Sequence, residues 1–258
     1  MKAYEFIEAS QQDGVALIEL NRPAQYNALN RTMVREIVDA LEAFDRDEEV
    51  RAIVVTGKGL AFSAGADIDE MAGDHPVRLE LLNQFADWDR LTLIKTPIIG
   101  AVKGFVFGGG FELALSCDLL IAASGTEFSF PEVTLGVMPG AGGTQRLTKI
   151  VGRTKALEWL WNGTRITTES ALQHGLINRV VSPELLMEEA MKTAKQIARQ
   201  APLSIRLIKD SVNKAVDYPL YEGMQYERKN FYLLFASEDQ KEGMNAFIEK
   251  RKPEFKGR

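Results

Sequence analysis

Gly104-Phe105-Val106-Phe107-Gly108-Gly109-Gly110-Phe111-Glu112-Leu113-Ala114 follows a brief apolar run, Pro97 to Val102, of the kind that becomes a buried strand. Gly104 supplies the turn that ends the run. Three consecutive glycines then precede an apolar helix expected over Leu113-Ala114-Leu115-Ser116-Cys117. The first N–H groups of such a helix have no intrahelical acceptor, so they can point into a cavity, and the helix dipole favours negative charge there. Glu112 sits in the opening of this apolar helix, where a core-facing carboxylate is costly unless it has a partner or a task.

Working outward, two further stretches have the same texture. Phe62-Ser63-Ala64-Gly65-Ala66-Asp67-Ile68 places small residues before Asp67, where a helix through Ile68, Glu70 and Met71 can begin. Phe130-Pro131-Glu132-Val133-Thr134-Leu135-Gly136 brings a second carboxylate behind a proline. If the first two turns face one point, the amides of Ala66 and Gly109 form an oxyanion hole, which in other enzymes is worth roughly 3 kcal/mol per donor. Two carboxyls in a mostly apolar cleft can take opposite protonation states, because desolvation and mutual repulsion raise at least one pKa. Structural readings stand beside these. Glycines also serve tight packing, and Glu132 after Pro131 equally fits a first-turn helix acid. Gly140-Ala141-Gly142-Gly143-Thr144-Gln145 lacks the third glycine of a dinucleotide fingerprint and the Lys-Ser/Thr pair of a P-loop, which disfavours a nucleotide-dependent oxidoreductase.

The wider pattern is α/β. Val15 to Leu20 reads as a strand closed by Asn21-Arg22-Pro23, and Ala52 to Thr56 as a buried strand ending at Gly57. Between them Leu29, Met33, Ile37, Ala40, Leu41 and Phe44 recur at helical spacing. After Pro139 the strand signals fall away and helical patterns take over, around Ala156 to Leu160, Leu185 to Ala194 and Ile205 to Val216. A last pair covers Leu220 to Phe235 and Ser237 to Lys250, with Ser237 and Gln240 resembling a capping box. Without linker or repeat, the change near Gly140 to Gly152 is one of composition within a single unit.

At 258 residues, with 45% hydrophobic and 26% charged residues, the chain is an ordinary globular length and composition. A formal charge of -5 disfavours general nucleic-acid binding. Cys117 stands alone, so no intramolecular disulfide forms and a reducing compartment, by default the cytoplasm, is expected. The start, Met1-Lys2-Ala3-Tyr4-Glu5, lacks the apolar core of a secretory leader, and no run approaches the roughly 18 apolar residues of a membrane span. With His75 and His174 the only histidines, a His/Cys metal cluster is not expected. Cys117 reads as a small buried hydrophobe, the two histidines as structural or solvated, and Lys250-Arg251-Lys252 with Lys256 and Arg258 as a basic tail. Leu82, Phe85 and Trp88, at helical spacing, read as core rather than ligand pocket.

Nearly end to end, the chain resembles the enoyl-CoA hydratase/isomerase, or crotonase, family. The resemblance rests on Asn21-Arg22-Pro23 with Asn27-Ala28-Leu29, the Ala-Phe-Ser-Ala-Gly-Ala-Asp segment ending at Asp67, Gly108 to Ala114, Pro131-Glu132, and Met138 to Leu147. It implies a spiral of ββα units over residues 1–195 and a C-terminal helical trimerisation region over 196–258, one continuous unit, assembled as a homo-hexamer from two trimers. It assigns the oxyanion-hole amides to Ala66 and Gly109, water activation to Glu112 and α-proton exchange to Glu132. Ala64, Asp67 and Ile68 match the turn that holds coenzyme A, while Phe231 and Lys250 match C-terminal groups that reach CoA, across a subunit boundary. CoA is part of the substrate, with no metal or other cofactor implied. Because both glutamates are present, the resemblance favours hydration of a 2-enoyl-CoA, in β-oxidation or a related acyl-CoA degradation route. A Δ3,Δ2-enoyl-CoA isomerase or another crotonase-family reaction, and an RNA-binding or scaffold protein on the same fold, are the alternatives. Asp69 stands where several relatives carry Lys, which puts an ion pair from that position to a CoA phosphate in doubt, and Phe111 replaces a frequent Cys. The acyl-pocket wall is expected between Met71 and Trp88.

Overall fold

The computed structural model describes residues 3–258, so Met1 and Lys2, part of the stretch read for a leader, lie outside the described residues. A hairpin opens the chain: β1 (Ile7–Gln12) pairs antiparallel with β2 (Val15–Leu20) across Asp13 and Gly14, both at positive φ as a two-residue hairpin loop demands. After β2 comes α1 (Arg31–Arg46), whose cap residue Asn30 accepts a 2.8 Å bond from the Met33 N–H. Leu29 belongs to the apolar pattern but precedes this helix and bridges to Ala66. Next is β3 (Ala52–Gly57), buried at all six positions, followed by three short helices, α2 (Ile68–Met71), α3 (Pro76–Leu82) and α4 (Ala86–Arg90).

Strand β4 (Ile98–Val102) lies parallel to β3, and the chain then leaves this sheet for β5 (Phe105–Phe107). Helix α5 (Gly109–Ala114) leads to β6 (Leu119–Ala123), parallel to β4, and the chain leaves again for β7 (Glu127–Ser129), parallel to β5. Ser63, which follows β3 as β5 follows β4, makes a parallel bridge to Val106. Each turn of chain thus lays one strand in a large sheet and one segment in a small one, which is the spiral. Gly104 makes the step between sheets possible: its φ is +59, and a Cβ there would lie 1.9 Å from the Leu60 carbonyl oxygen.

Helices α6 (Gly143–Val151) and α7 (Arg153–Asn162), strand β8 (Ile166–Thr167), helix α8 (Thr168–Gln173) and strand β9 (Arg179–Val181) complete the two sheets. Their orders are β1-β2-β3-β4-β6-β9 and β5-β7-β8. The strands after Pro139 correct the expectation that strand structure ends there; at two and three residues, β8 and β9 are too short to display an alternating pattern. Helix α5 also differs from expectation. It starts at the glycines and ends before Ser116 and Cys117, whose N–H groups bond three residues back to Leu113 and Ala114.

The large sheet has a core on each face. Ile18, Leu20, Ile53 and Val55 face Met33, Ile37, Leu41 and Phe44 of α1. Val15, Ala52, Val54, Ile99 and Ile121 face Leu186, Ala190, Ala194 and Ala198 of α9 (Leu186–Ala198). Each fully buried Ile, Val or Leu contributes about 1.5–3 kcal/mol relative to exposure.

Beyond Ala198 the character changes. Helix α10 (Pro202–Ala215) buries no residue, α11 (Leu220–Leu234) buries Asn230, and α12 (Glu238–Glu249) buries Asp239 and Ala246. Ile208, Val212, Leu220, Phe231, Phe247 and Ile248 are exposed. Polar contacts tie α10 to the core layers: Lys209 donates to Asp118, just before β6, at 2.7 Å, and Arg206 to the carbonyl of Asp45 on α1 at 3.0 Å. Ser237 caps α12 by accepting from the Gln240 N–H at 3.1 Å. Among the described residues no helix is long and apolar enough to cross a membrane.

Candidate active site

A cleft of about 1420 Å³ opens where α5, the turn before α2 and the loop before α6 converge, and Ala66, Gly109, Glu112 and Glu132 all line it. Gly108, with φ +49 and ψ −126, holds a conformation that only glycine adopts readily, and it starts α5 at this point. Its neighbour Gly109 faces Ala66 so closely that an added Cβ would stand 3.7 Å from the Ala66 nitrogen. Among the described residues neither the Ala66 nor the Gly109 N–H meets a protein acceptor. Two unpaired donors side by side in a cleft suit an oxygen that gains negative charge.

Glu112, 4% exposed, is the only acid on α5. Its Oε1 accepts two bonds of 2.7 Å, from the N–H groups of Ala141 and Gly143. Arg146 fastens that loop from behind by donating to the Ala141 carbonyl at 2.9 Å. Burial raises the Glu112 pKa; the two N–H groups and the nearby Arg146 charge oppose the rise by favouring the carboxylate. Gly143 leaves no room for a side chain here, since a Cβ would lie 2.8 Å from the Phe130 ring and 2.9 Å from Glu112 Oε1. Phe130 in turn stacks on Phe111 at 4.6 Å between centroids, so the larger residue at 111 fills the core behind the site.

Glu132 is held differently. It opens a short 3-10 turn, Glu132–Leu135, behind Pro131, so it is a first-turn acid and also faces the cleft. A Cβ on Gly108 would lie 3.0 Å from its Oε1, which puts the carboxyl against the start of α5. Its Oε2 is buried with no hydrogen-bond partner. Burial pushes the Glu132 pKa up to about 7, with its own backbone N–H opposing and the Glu112 charge adding to the rise.

The remaining expected residues divide. Ala64 and Ile68 line the same cleft, whereas the Asp67 carboxylate is paired with Arg22 at 3.0 Å. Phe231, half exposed on α11 against Phe235, and Lys250, in the left-handed conformation that ends α12, do not line the cleft of their own chain. Leu82, Phe85 and Trp88 correct the reading as core: all three line the cleft, and Leu82 and Phe85 are exposed, though Trp88 also packs on the core. Their helical spacing served a cavity wall, which has the same apolar signature as a core face. Ala141, Gly143 and Arg146 were not anticipated as site residues. Burial pushes the Cys117 thiol up to about 12, while His75 caps α3 and His174 bonds to the Ser170 carbonyl at 2.9 Å. Among the described residues no group of three or more His, Cys, Asp or Glu is placed to hold a metal ion.

A two-sheet spiral, paired free amides and two acids in one cleft are the features of a crotonase-fold protein. The comparisons agree: the sequence profile of the enoyl-CoA hydratase/isomerase family matches residues 10–258, and the chain belongs to that family. A Rhizobium meliloti protein named probable enoyl-CoA hydratase is 46% identical, covering 99% of this chain and 100% of its own. The mitochondrial enoyl-CoA hydratase of Pongo abelii is 44% identical over 98% of this chain and 88% of its own. Among solved structures, enoyl-CoA hydratase subunit I of Geobacillus kaustophilus superposes with a TM-score of 0.97 at 68% identity, covering 99% of each chain.

Proposed function

We propose that this protein hydrates a 2-enoyl-CoA thioester to the 3-hydroxyacyl-CoA. The observation that carries the reading is a pair of carboxyls in one cleft, Glu112 buried and Glu132 part-buried, differently supported, beside two unpaired N–H groups. The thioester oxygen accepts from Ala66 and Gly109 and gains charge as the enolate forms. Glu112, whose carboxylate form Ala141, Gly143 and Arg146 favour against the effect of burial, takes a proton from water as the oxygen attacks the β-carbon. Glu132, protonated below about 7, gives its proton to the α-carbon on the same face. Atoms balance: the double bond gains one hydroxyl and one hydrogen, the charge of the site is unchanged, and the proton left on Glu112 passes to Glu132, directly or through solvent, to restore the starting protonation.

CoA belongs to the substrate, held along Ala64, Ile68 and the backbone at Asp67, since Arg22 occupies the Asp67 carboxylate. Phe231 and Lys250 reach CoA from a neighbouring copy in a homo-hexamer of two trimers. The apolar side chains exposed on α10 to α12 support such an assembly; light scattering that finds a monomer would contradict it. A cytoplasmic place in β-oxidation or a related degradation of acyl-CoAs fits this activity. The test is the ultraviolet absorbance of the conjugated thioester on mixing protein with crotonyl-CoA. Loss of absorbance is expected; an unchanged signal with crotonyl-CoA, together with conversion of a 3-enoyl-CoA, would favour the isomerase instead.

A further inference from the structure

One wall of the cleft is built unlike the rest. Helices α2, α3 and α4 bury no residue, yet Met71, Leu79, Leu82, Phe85 and Trp88 from this segment line the cavity. Apolar burial therefore contributes little to holding the segment in place. Helix α4 is tied to α1 by Arg90, which pairs with Glu42 at 2.8 Å and Asp39 at 3.2 Å, whereas the attachment of α2, α3 and the loops beside them is polar and converges on one residue, Arg31, at the first position of α1.

The Arg31 backbone N–H, one of the groups a helix start leaves unpaired, donates to Glu70 Oε2 at 2.8 Å. Its side-chain Nε donates to Gln84 Oε1 at 2.6 Å, and its Nη2 pairs with the carboxylate of Asp74. Asp74 has a side chain 7% exposed, and its other oxygen has no partner, so Arg31 is what compensates this buried charge. One residue of the rigid layer thus grips the segment within α2, between α2 and α3, and after α3. At the far side Phe85 seats on Gly140, where a Cβ would come within 2.8 Å of the ring. The wall therefore has a polar hinge at Arg31 and an apolar stop at Gly140.

Resting on the enoyl-CoA reading, we propose that Arg31 is a specificity-determining residue: by clamping Glu70, Asp74 and Gln84 it fixes the position of the 70–85 wall and with it the depth available to the acyl chain. It acts through the wall, as a positioning residue, with the planar guanidinium supplying directed donors to two side chains at once. Released from the clamp, the wall recedes and the cleft admits longer chains.

The experiment measures kcat/KM of the wild type, Arg31→Met, Arg31→Lys and Gln84→Leu with crotonyl-CoA and with 2-decenoyl-CoA. Because each methylene accommodated or excluded changes discrimination by about tenfold or more, Arg31→Met is expected to raise the ratio of long to short substrate at least about tenfold, mainly through KM of the longer one. Gln84→Leu, which cuts one arm and leaves the Asp74 pair, raises it less. Arg31→Lys, which keeps a cation for Asp74 without the fork, falls between wild type and Arg31→Met. An unchanged ratio, or an equal fall on both substrates as from general loosening, overturns the proposal. Should Arg31→Met not fold, an unchanged ratio in Gln84→Leu overturns it equally. A wild type that hydrates neither substrate would strike the hydratase reading itself, an outcome distinct from hydration with an unmoved ratio.

Discussion

Glu112 and Glu132 are the same residue in the same cleft, and the chain treats them in opposite ways. Glu112 grows from a helix, is buried, and has one oxygen bonded by two N–H groups of a loop that Arg146 fastens. Glu132 grows from a single 3-10 turn and keeps a buried oxygen without any partner. Burial raises both pKa values, but only Glu112 receives donors and a cation from elsewhere in the fold that stabilise its charge. Backbone support thus defines a fixed base, and its absence leaves a neighbouring group able to hold a proton near neutral pH.

The largest effect should come from removing the base. Glu112→Gln keeps the shape and an acceptor for Ala141 and Gly143 but cannot take a proton, so kcat/KM for crotonyl-CoA should fall by about 10²–10⁴. Thioester absorbance checks it, and near-normal turnover would erase the distinction between the two acids. Next comes the support itself. Gly143→Ala would push a Cβ against Glu112 Oε1 and Phe130, and a displacement on the scale of 1 Å costs about a hundredfold in rate. Steady-state kinetics in this variant with KM preserved would sharpen the comparison, whereas unchanged kcat would show that the loop does not position Glu112.

The smallest effect is on stability. The folded pKa of Glu132, about 7, lies above its ordinary 4.5, so the folded state binds more protons between those values and stability is lost as pH rises through that window. Glu132→Gln removes the ionisation and should stabilise the protein at pH 8 by on the order of 1 kcal/mol, after discounting for partial exposure. The gain should shrink toward pH 4.5, where the carboxyl is largely neutral in the folded state and half-neutral in the unfolded one. Urea unfolding at the two pH values reads it, and a gain independent of pH would place its origin outside the titration.

What was legible in the chain follows the same division. Glu112 stood out because a carboxylate inside an apolar helix has few innocent explanations, and Ala66 and Gly109 because small residues next to helix starts leave N–H groups free. The strands β3 and β4 were plain as short apolar runs. Strand β1, polar on an edge, and β8 and β9, two and three residues long, carried no periodic signal. Gly140 to Gln145 matches neither phosphate-binding pattern, and the sequence offers no other task for it. Its glycines do mark a close backbone approach, but the anion approached is Glu112, a contact that spacing along the chain cannot display. Leu82, Phe85 and Trp88 were misplaced for a related reason, since a cleft wall and a core face share one periodicity. Arg31 gave no sign, because its partners Glu70, Asp74 and Gln84 come from a different part of the chain.

The most direct test of the division of labour is the pH dependence of kcat/KM for crotonyl-CoA hydration in the wild type and in Glu132→Gln. With Glu132 as the proton donor, the wild-type rate should fall as pH rises past about 7, and the weak residual rate of Glu132→Gln should lack that fall. A wild-type profile flat from pH 6 to 9, or a variant that keeps the alkaline fall, would contradict the account.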